Sequence, residues 1–476
     1  MSEPAPAQAT RVGVGVVAAV VAAAGAAAWA SPGPHVRLSA LFAFTAVLWL
    51  TEALPAAVTA LLAVALSVVS GLATPKEAFG ALGNPVLYLF VGSFMIAEAI
   101  RLHGLGARFA EGLSRRARGR LGGLLATSGA AFALSMWTSN AAATAVVLPL
   151  GLTLAQASGD RRYGAGLVLG VAWGASMGGL CTPVGTPPNL IAVRALADAG
   201  HPISFGRWMQ VGTPIAVAML VAMWGVLAVA FRLRGGDVTA APPPPRGRWS
   251  RGEVAAGTAF LLAVVGWMAP GLMELLGVPG AAGLKVRLPE EVVALLAAAL
   301  LFGWPVQGPG EAPRRALAWM DAARIDWGTV LLFGGGILLG DLAQKTGLAD
   351  AWGRALVAGS GASSPWAIVA LVTGASLVLS EFASNTASAT LMVPLALGLS
   401  SAAGTPPLPA VLGATLGASF GFMMPVSTAP NAMAYATGQV SVREMVKTGI
   451  VFDLVGYAVV LGMLRVLCPL LGLDGR

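Results

Sequence analysis

The chain has 476 residues, of which 57% are hydrophobic and only 11% charged, with a mean hydropathy of +0.78. Soluble domains carry about 25% charged residues, so the apolar surface exceeds what a water-exposed fold can bury, and a bilayer is required. A net charge of +8 would suit a nucleic-acid partner, but the basic residues sit in loops between apolar runs. That is the positive-inside pattern of a membrane protein, and it excludes nucleic acid.

In chain order, the first apolar run is 12–30. Arg11 ahead of it and Ala28-Trp29-Ala30 behind it resemble a signal peptide with its cleavage site. Its length, and the lack of any soluble sequence after it, make it a first spanning helix. Further runs of spanning length lie near 36–54, 56–73, 82–102, 207–231, 253–275, 288–304, 326–345 and 446–470. Two more, 163–200 and 406–440, are interrupted by Pro/Gly-rich breaks. Segments 121–157 and 363–400 are apolar with polar centres, and their arms fall short of a full crossing of about 20 residues. They read as re-entrant helical hairpins.

The expectation is an all-α polytopic membrane protein with eleven spans and two hairpins. Most of the 29 basic residues then fall on the side of the N-terminus, among them Arg115, Arg116, Arg118 and Arg120. The N-terminus is therefore cytoplasmic and the C-terminus outside. Segment 233–251, with Pro242 to Pro245, reads as a cytoplasmic linker between two halves.

Those halves repeat. Leu89-Phe90-Val91-Gly92 matches Leu332-Phe333-Gly334-Gly335, offset by 243. Ser135 to Asn140 matches Ser380 to Asn385, offset by 245, and Pro183 to Asn189 matches Pro425 to Asn431, offset by 242. Each copy holds five crossings, an odd number, so the copies face opposite ways. The division is 1–35 for the first helix, 36–232 and 252–476 for two inverted repeats, with the linker between. Inverted repeats with broken helices point to a secondary transporter with a midplane site.

At a hairpin tip inside lipid, backbone groups lose helical partners and find no water. Ser and Asn side chains can cap such a turn with no ligand involved. Two tips paired by symmetry, each with a Ser upstream (Ser135, Ser380), also supply the neutral oxygens that a sodium ion takes. Helix N-termini at the same place attract an anion. In the breaks, Pro187, Pro188 and Pro430 bar continuous helix and free carbonyls near Gly185 and Ser427. A simple kink is the competing account.

Ser139-Asn140-Ala141 and Ser384-Asn385-Thr386, with Gly185-Thr186-Pro187-Pro188-Asn189, Ser427-Thr428-Ala429-Pro430-Asn431 and Thr51-Glu52-Ala53-Leu54-Pro55, resemble signatures of the divalent anion:sodium symporters. The resemblance covers nearly the whole chain and implies a homodimer with scaffold and elevator-type transport domains. It implies one co-transported sodium at Ser135, Ser139, Asn140 and the Gly185 carbonyl, and a second at Ser380, Ala383, Asn385 and the Ser427 carbonyl. It places the substrate dianion against Asn140, Thr186, Pro187, Ser384, Asn385, Thr386 and Thr428. Two departures touch the substrate side: Ala141 where a Thr is usual, and Ala429 where a Pro is usual.

Intramembrane acids are candidates by default. Glu98 and Asp341 occupy equivalent repeat positions and could carry protons, or Glu98 could simply pair with Arg101; Glu52, Glu381 and Asp453 also border or enter apolar runs. His35, His103 and His201 fall in predicted loops without ligand spacing. Cys181 and Cys468 read as small buried hydrophobes. No nucleophile–base pair, phosphate loop or metal cluster is present, so no enzyme and no organic cofactor is expected. The leading expectation is a sodium-coupled symporter for a C4-dicarboxylate in a bacterial inner membrane. Sulfate uptake, sodium-independent dicarboxylate exchange, a proton-coupled antiporter and a transporter-derived scaffold or receptor are the alternatives.

Overall fold

A computed structural model describes residues 33–473, apart from Glu52, 115–118, 234–246, Gly277, 307–313, 349–350, 353 and 356–363. The predicted first helix at 12–30, Glu52 and most of the linker lie outside the described residues. The first half runs α1 (Pro34–Thr51), α2 (Ala56–Val69), α3 (Pro85–Leu102), α4 (Leu105–Ser114), α5 (Gly119–Ser135), α6 (Asn140–Ser158), α7 (Arg161–Gly178), α8 (Pro187–Asp198) and α9 (Phe205–Ala230). The second runs α10 (Arg251–Leu275), α11 (Glu290–Gly303), α12 (Trp327–Thr346), α13 (Pro365–Phe382), α14 (Asn385–Ala402), α15 (Pro407–Ala418), α16 (Ala429–Ala436) and α17 (Val442–Leu470). Short helical turns and one two-residue strand pair, Pro305–Val306 with Arg314–Arg315, connect them. The protein is an all-α polytopic membrane protein, and among the described residues seven helices are long and apolar enough to cross a bilayer.

Local sequence sets the ends. Ser139 and Ser384 cap α6 and α14, accepting from Ala142 N at 3.2 Å and Ala387 N at 3.3 Å. These caps start new helices four and two residues after α5 and α13 stop, which makes two tight hairpins. Prolines open α8 and α16, where a missing N–H costs nothing.

Two predicted spans are corrected. Helices α2 and α11 have fourteen residues each, about 21 Å of rise against a hydrocarbon core of about 30 Å. They lie directly on their neighbours. A Cβ at Gly92 of α3 would sit 2.6 Å from the Ala294 backbone of α11, and one at Gly335 of α12 would sit 2.7 Å from Ala60 Cβ of α2. The loop assignment of His35 is also corrected. It occupies the first turn of α1, with Nε2 2.5 Å from Thr346 O, because α1 begins at Pro34, two residues before the apolar run.

Buried residues form three clusters. The largest joins α5–α9 to α13–α17. The other two are built mainly from α3 with α10 and α11, and from α1 and α2 with α12. Cys181 and Cys468 are both buried and free.

Candidate functional site

In the first half, α7 ends at Gly178 and the chain unwinds until α8 starts at Pro187. This break lies against the α5–α6 tip. Ser135 Oγ donates to Asn140 Oδ1 at 2.7 Å. Gly179 is the hub: a Cβ there would lie 2.5 Å from Asn140 Oδ1 and 3.2 Å from both Gly185 O and Thr186 Cβ. Only glycine permits this approach, and through it Ser135, Asn140, Gly185 and Thr186 converge. Thr182 Oγ1 ties the break to the tip by donating to Met136 O at 2.5 Å.

The second half repeats the design. Ser380 Oγ lies 2.9 Å from Asn385 Oδ1, 2.7 Å from Ala418 O and 2.6 Å from Phe420 O, while Asn385 Nδ2 donates to Ser419 O at 3.3 Å. The hub is Gly421, whose φ of +142° suits glycine. A Cβ there would meet Ser427 Cβ and Thr428 Cγ2 at 3.3 Å and Ser380 O at 3.4 Å. A hydroxyl carries a single hydrogen, so Ser380 can satisfy only one of its three oxygen neighbours. An oxygen-rich cradle with one proton among four oxygens suits a small hard cation.

The remaining predicted residues divide by role. The hydroxyls of Ser139 and Ser384 are helix caps, as above. Ala383 is buried in the extended step between α13 and α14. Pro187 is the first residue of α8, Thr428 caps α16 by accepting from Asn431 N at 3.3 Å, and the Thr386 carbonyl accepts from Thr390 Oγ1 at 2.9 Å. Four helices (α6, α8, α14, α16) thus begin at the two motifs, each contributing roughly half a positive charge at its N-terminus. The halves interlock, since α8 packs on α14 and α16 packs on α6.

Sequence reasoning missed what holds the breaks open. Asn189 Nδ2 donates to Gly179 O at 2.8 Å and Thr182 O at 2.7 Å. Asn431 Nδ2 does the same to Gly421 O at 2.7 Å and Met424 O at 3.0 Å. Each amide bridges the carbonyls ten and seven residues upstream, and the recurrence of Asn at the same offset was the available signal. Of the acids, Glu98 pairs with Arg101 at 2.5 Å, whereas Asp341 shares a small cavity with Arg194 and Asp198, themselves paired at 2.6 Å.

Comparison with known proteins places the chain in a family. The profile of the family described as sodium:sulfate symporter transmembrane region matches residues 14–473. The chain is 32% identical to the sodium-dependent dicarboxylate transporter SdcS of Staphylococcus saprophyticus, over 91% of this chain and 86% of that one. It is 31% identical to SdcS of Staphylococcus aureus, over 93% and 88%. Among solved structures, the YdaH transporter of Alcanivorax borkumensis superposes with a TM-score of 0.54 at 14% identity, covering 85% of this chain and 88% of that one, a likeness of fold. With the profile spanning both halves and both motif pairs, the chain belongs to the divalent anion:sodium symporter family.

Proposed function

We propose that this protein is a secondary active transporter that carries sodium and a small divalent anion, a C4-dicarboxylate, together across a bacterial inner membrane by alternating access. The observation that carries this reading is the second cradle, where Ser380 Oγ has three oxygen neighbours within 2.9 Å and one hydrogen to share. A sodium ion among these oxygens relieves the crowding, and the matching cradle at Ser135, Asn140 and Gly185 takes another. The substrate carboxylates then meet Asn140, Thr186, Pro187, Ser384, Asn385, Thr386 and Thr428, beside four helix N-termini. Bound cations lower the repulsion on a dianion entering a low-dielectric cleft. Net inward positive charge is driven by about 2.3 kcal/mol per charge per 100 mV. The names of the Staphylococcus relatives favour dicarboxylate as cargo, and the family's description keeps sulfate as the second anion. The protein works as a homodimer with a cytoplasmic N-terminus. A proton-coupled antiporter is disfavoured by the Glu98–Arg101 pair, which occupies one of the two acids that it needs.

In proteoliposomes, labelled succinate uptake is expected to require an inward sodium gradient and to fall by about tenfold or more in Asn140→Ala or Asn385→Ala, each removing at least one cation ligand. Uptake indifferent to sodium but driven by internal dicarboxylate would mean exchange and end the symport reading. Suppression by excess sulfate would move the cargo to the other anion.

A further inference from the structure

The second cradle has a carboxylate behind it that the first lacks. Glu381 follows Ser380 directly and is fully buried. Its Oε1 accepts from Phe422 N at 2.7 Å, and its Oε2 from Met423 N at 3.1 Å. The equivalent position in the first half, at the same offset of 245, is Met136. There the break is tied by the Thr182 hydroxyl instead. Ser380 and Glu381 therefore grip one stretch of backbone from its two sides: the hydroxyl faces the carbonyls of Ala418 and Phe420, and the carboxylate takes the N–H groups of Phe422 and Met423. In a planar trans peptide, N–H and C=O point in opposite directions. Fixing Phe422 N–H on Glu381 turns the Gly421 carbonyl the other way, where Ser427 Oγ donates to it at 2.9 Å and Asn431 Nδ2 at 2.7 Å.

A second acid backs the first. Asp453 of α17 is 3% exposed and neither of its oxygens meets a donor, while its carboxyl lies within hydrogen-bonding reach of Glu381. No basic side chain among the described residues contacts either group. Of the elements packed on α17, α15 carries no charge, α13 carries only Glu381, and Arg207 of α9 is bonded to Leu471 O; Arg465 of α17 itself lies over Trp366.

We propose that Glu381 is a positioning residue for the second sodium cradle: by holding the Phe422 and Met423 N–H groups it anchors the backbone immediately after Phe420, keeps the Phe420 carbonyl against Ser380, and so sets that cradle's affinity for sodium. The proposal rests on the cradle being a sodium site. The test titrates purified full-length protein, without substrate, with sodium chloride against choline chloride, reading sodium by thermal stabilisation, in an Asn140→Ala background that silences the first cradle. Glu381→Gln keeps an acceptor oxygen at the same reach and offers its amide to Asp453, so its sodium midpoint is expected within about twofold of the background. Glu381→Asp withdraws the carboxylate by one methylene and should raise the midpoint about tenfold, the loss of a charge-assisted hydrogen bond. Glu381→Met, the first half's residue, should raise it at least as far. The reverse order, Asp retained and Gln impaired, would show that charge rather than geometry matters and overturn the proposal. Equal midpoints in all three would overturn it as well. Should the Met variant fail to fold, the order of Gln and Asp decides alone. A background protein with no sodium response sinks the sodium reading itself, whereas a response indifferent to Glu381 sinks only the positioning role.

Discussion

At the residue scale, the two breaks are open because one amide in each takes the place of helical hydrogen bonds. Asn189 and Asn431 are both fully buried, and each spends both amide hydrogens on carbonyls of the break, one of which, at Gly179 or Gly421, faces a proline (Pro183 or Pro425) where a helix would offer an N–H. Asn189→Ala takes the amide donor from Gly179 O and leaves Thr182 O with Gly185 N at 3.3 Å, and Asn431→Ala leaves Gly421 O and Met424 O to share the Ser427 hydroxyl; each change is expected to cost about 2 kcal/mol, visible as a lower unfolding temperature in sodium-free buffer. A variant as stable as the parent would mean that the breaks hold without the clasp. Much of this site was legible in the sequence, because Ser-Asn pairs and Pro-Asn ends stand out in apolar runs and recur at offsets of 242 to 245. The clasp direction was not legible, since an Asn reaching ten residues back leaves no local pattern. Nor was the role of Glu381, whose partners at Phe422, Met423 and Asp453 lie 41 to 72 positions away and meet it only after α15 and α17 have packed.

At the element scale, glycine decides how near the helices come. Gly170, Gly174 and Gly178 of α7, four apart, face Leu124, Ser128 and Phe132 of α5, also four apart, and a Cβ at Gly174 would sit 2.6 Å from Ser128 O. Gly413 and Gly417 of α15 repeat this against Thr373 of α13. Small residues at four-residue spacing are how helices associate in lipid, where no hydrophobic force draws them together. Each broken helix is thereby locked to the first arm of its own hairpin, which keeps tip and break in register. Gly174→Leu is expected to cost about 3 kcal/mol through overpacking against backbone that cannot yield. Gly225→Leu on α9, where nothing lies within 4 Å, should behave as the parent. Comparable monodisperse yield of both variants after extraction would refute the lock. The helices themselves were readable from apolar run length. The fourteen-residue α2 and α11 were not, because a run such as 56–73 does not reveal that only 56–69 is helical; the remainder turns at Gly71, whose φ is +71°.

At the scale of the whole molecule, the division of the buried core bears on the alternating access proposed above. Both hairpins and both broken helices share one apolar cluster with α9 and α17, while α1–α3 and α10–α12 form the other two. A body that contains the whole site can move against a frame without taking the cradles apart, which is the motion implied by elevator-type transport. One of the contacts between the two, that of α12 with α14, brings a Cβ at Gly336 to 3.6 Å from Thr390 Cβ. That spacing falls in the range for a disulfide, about 3.5–4.5 Å between Cβ atoms. Replacing Thr390 by Cys also removes the methyl group that would otherwise crowd residue 336 at 2.9 Å. The matched control lies inside the cluster that holds both cradles, where a Cβ at Gly151 of α6 would stand 4.0 Å from Leu167 Cβ of α7. With Cys181 and Cys468 first changed to Ala, oxidised Gly336→Cys/Thr390→Cys should stop sodium-driven uptake and recover it on reduction. Oxidised Gly151→Cys/Leu167→Cys should transport as before. Complete cross-linking of the first pair with uptake unchanged would mean that the site is reached without sliding α14 past α12, and the moving body would have to be drawn elsewhere.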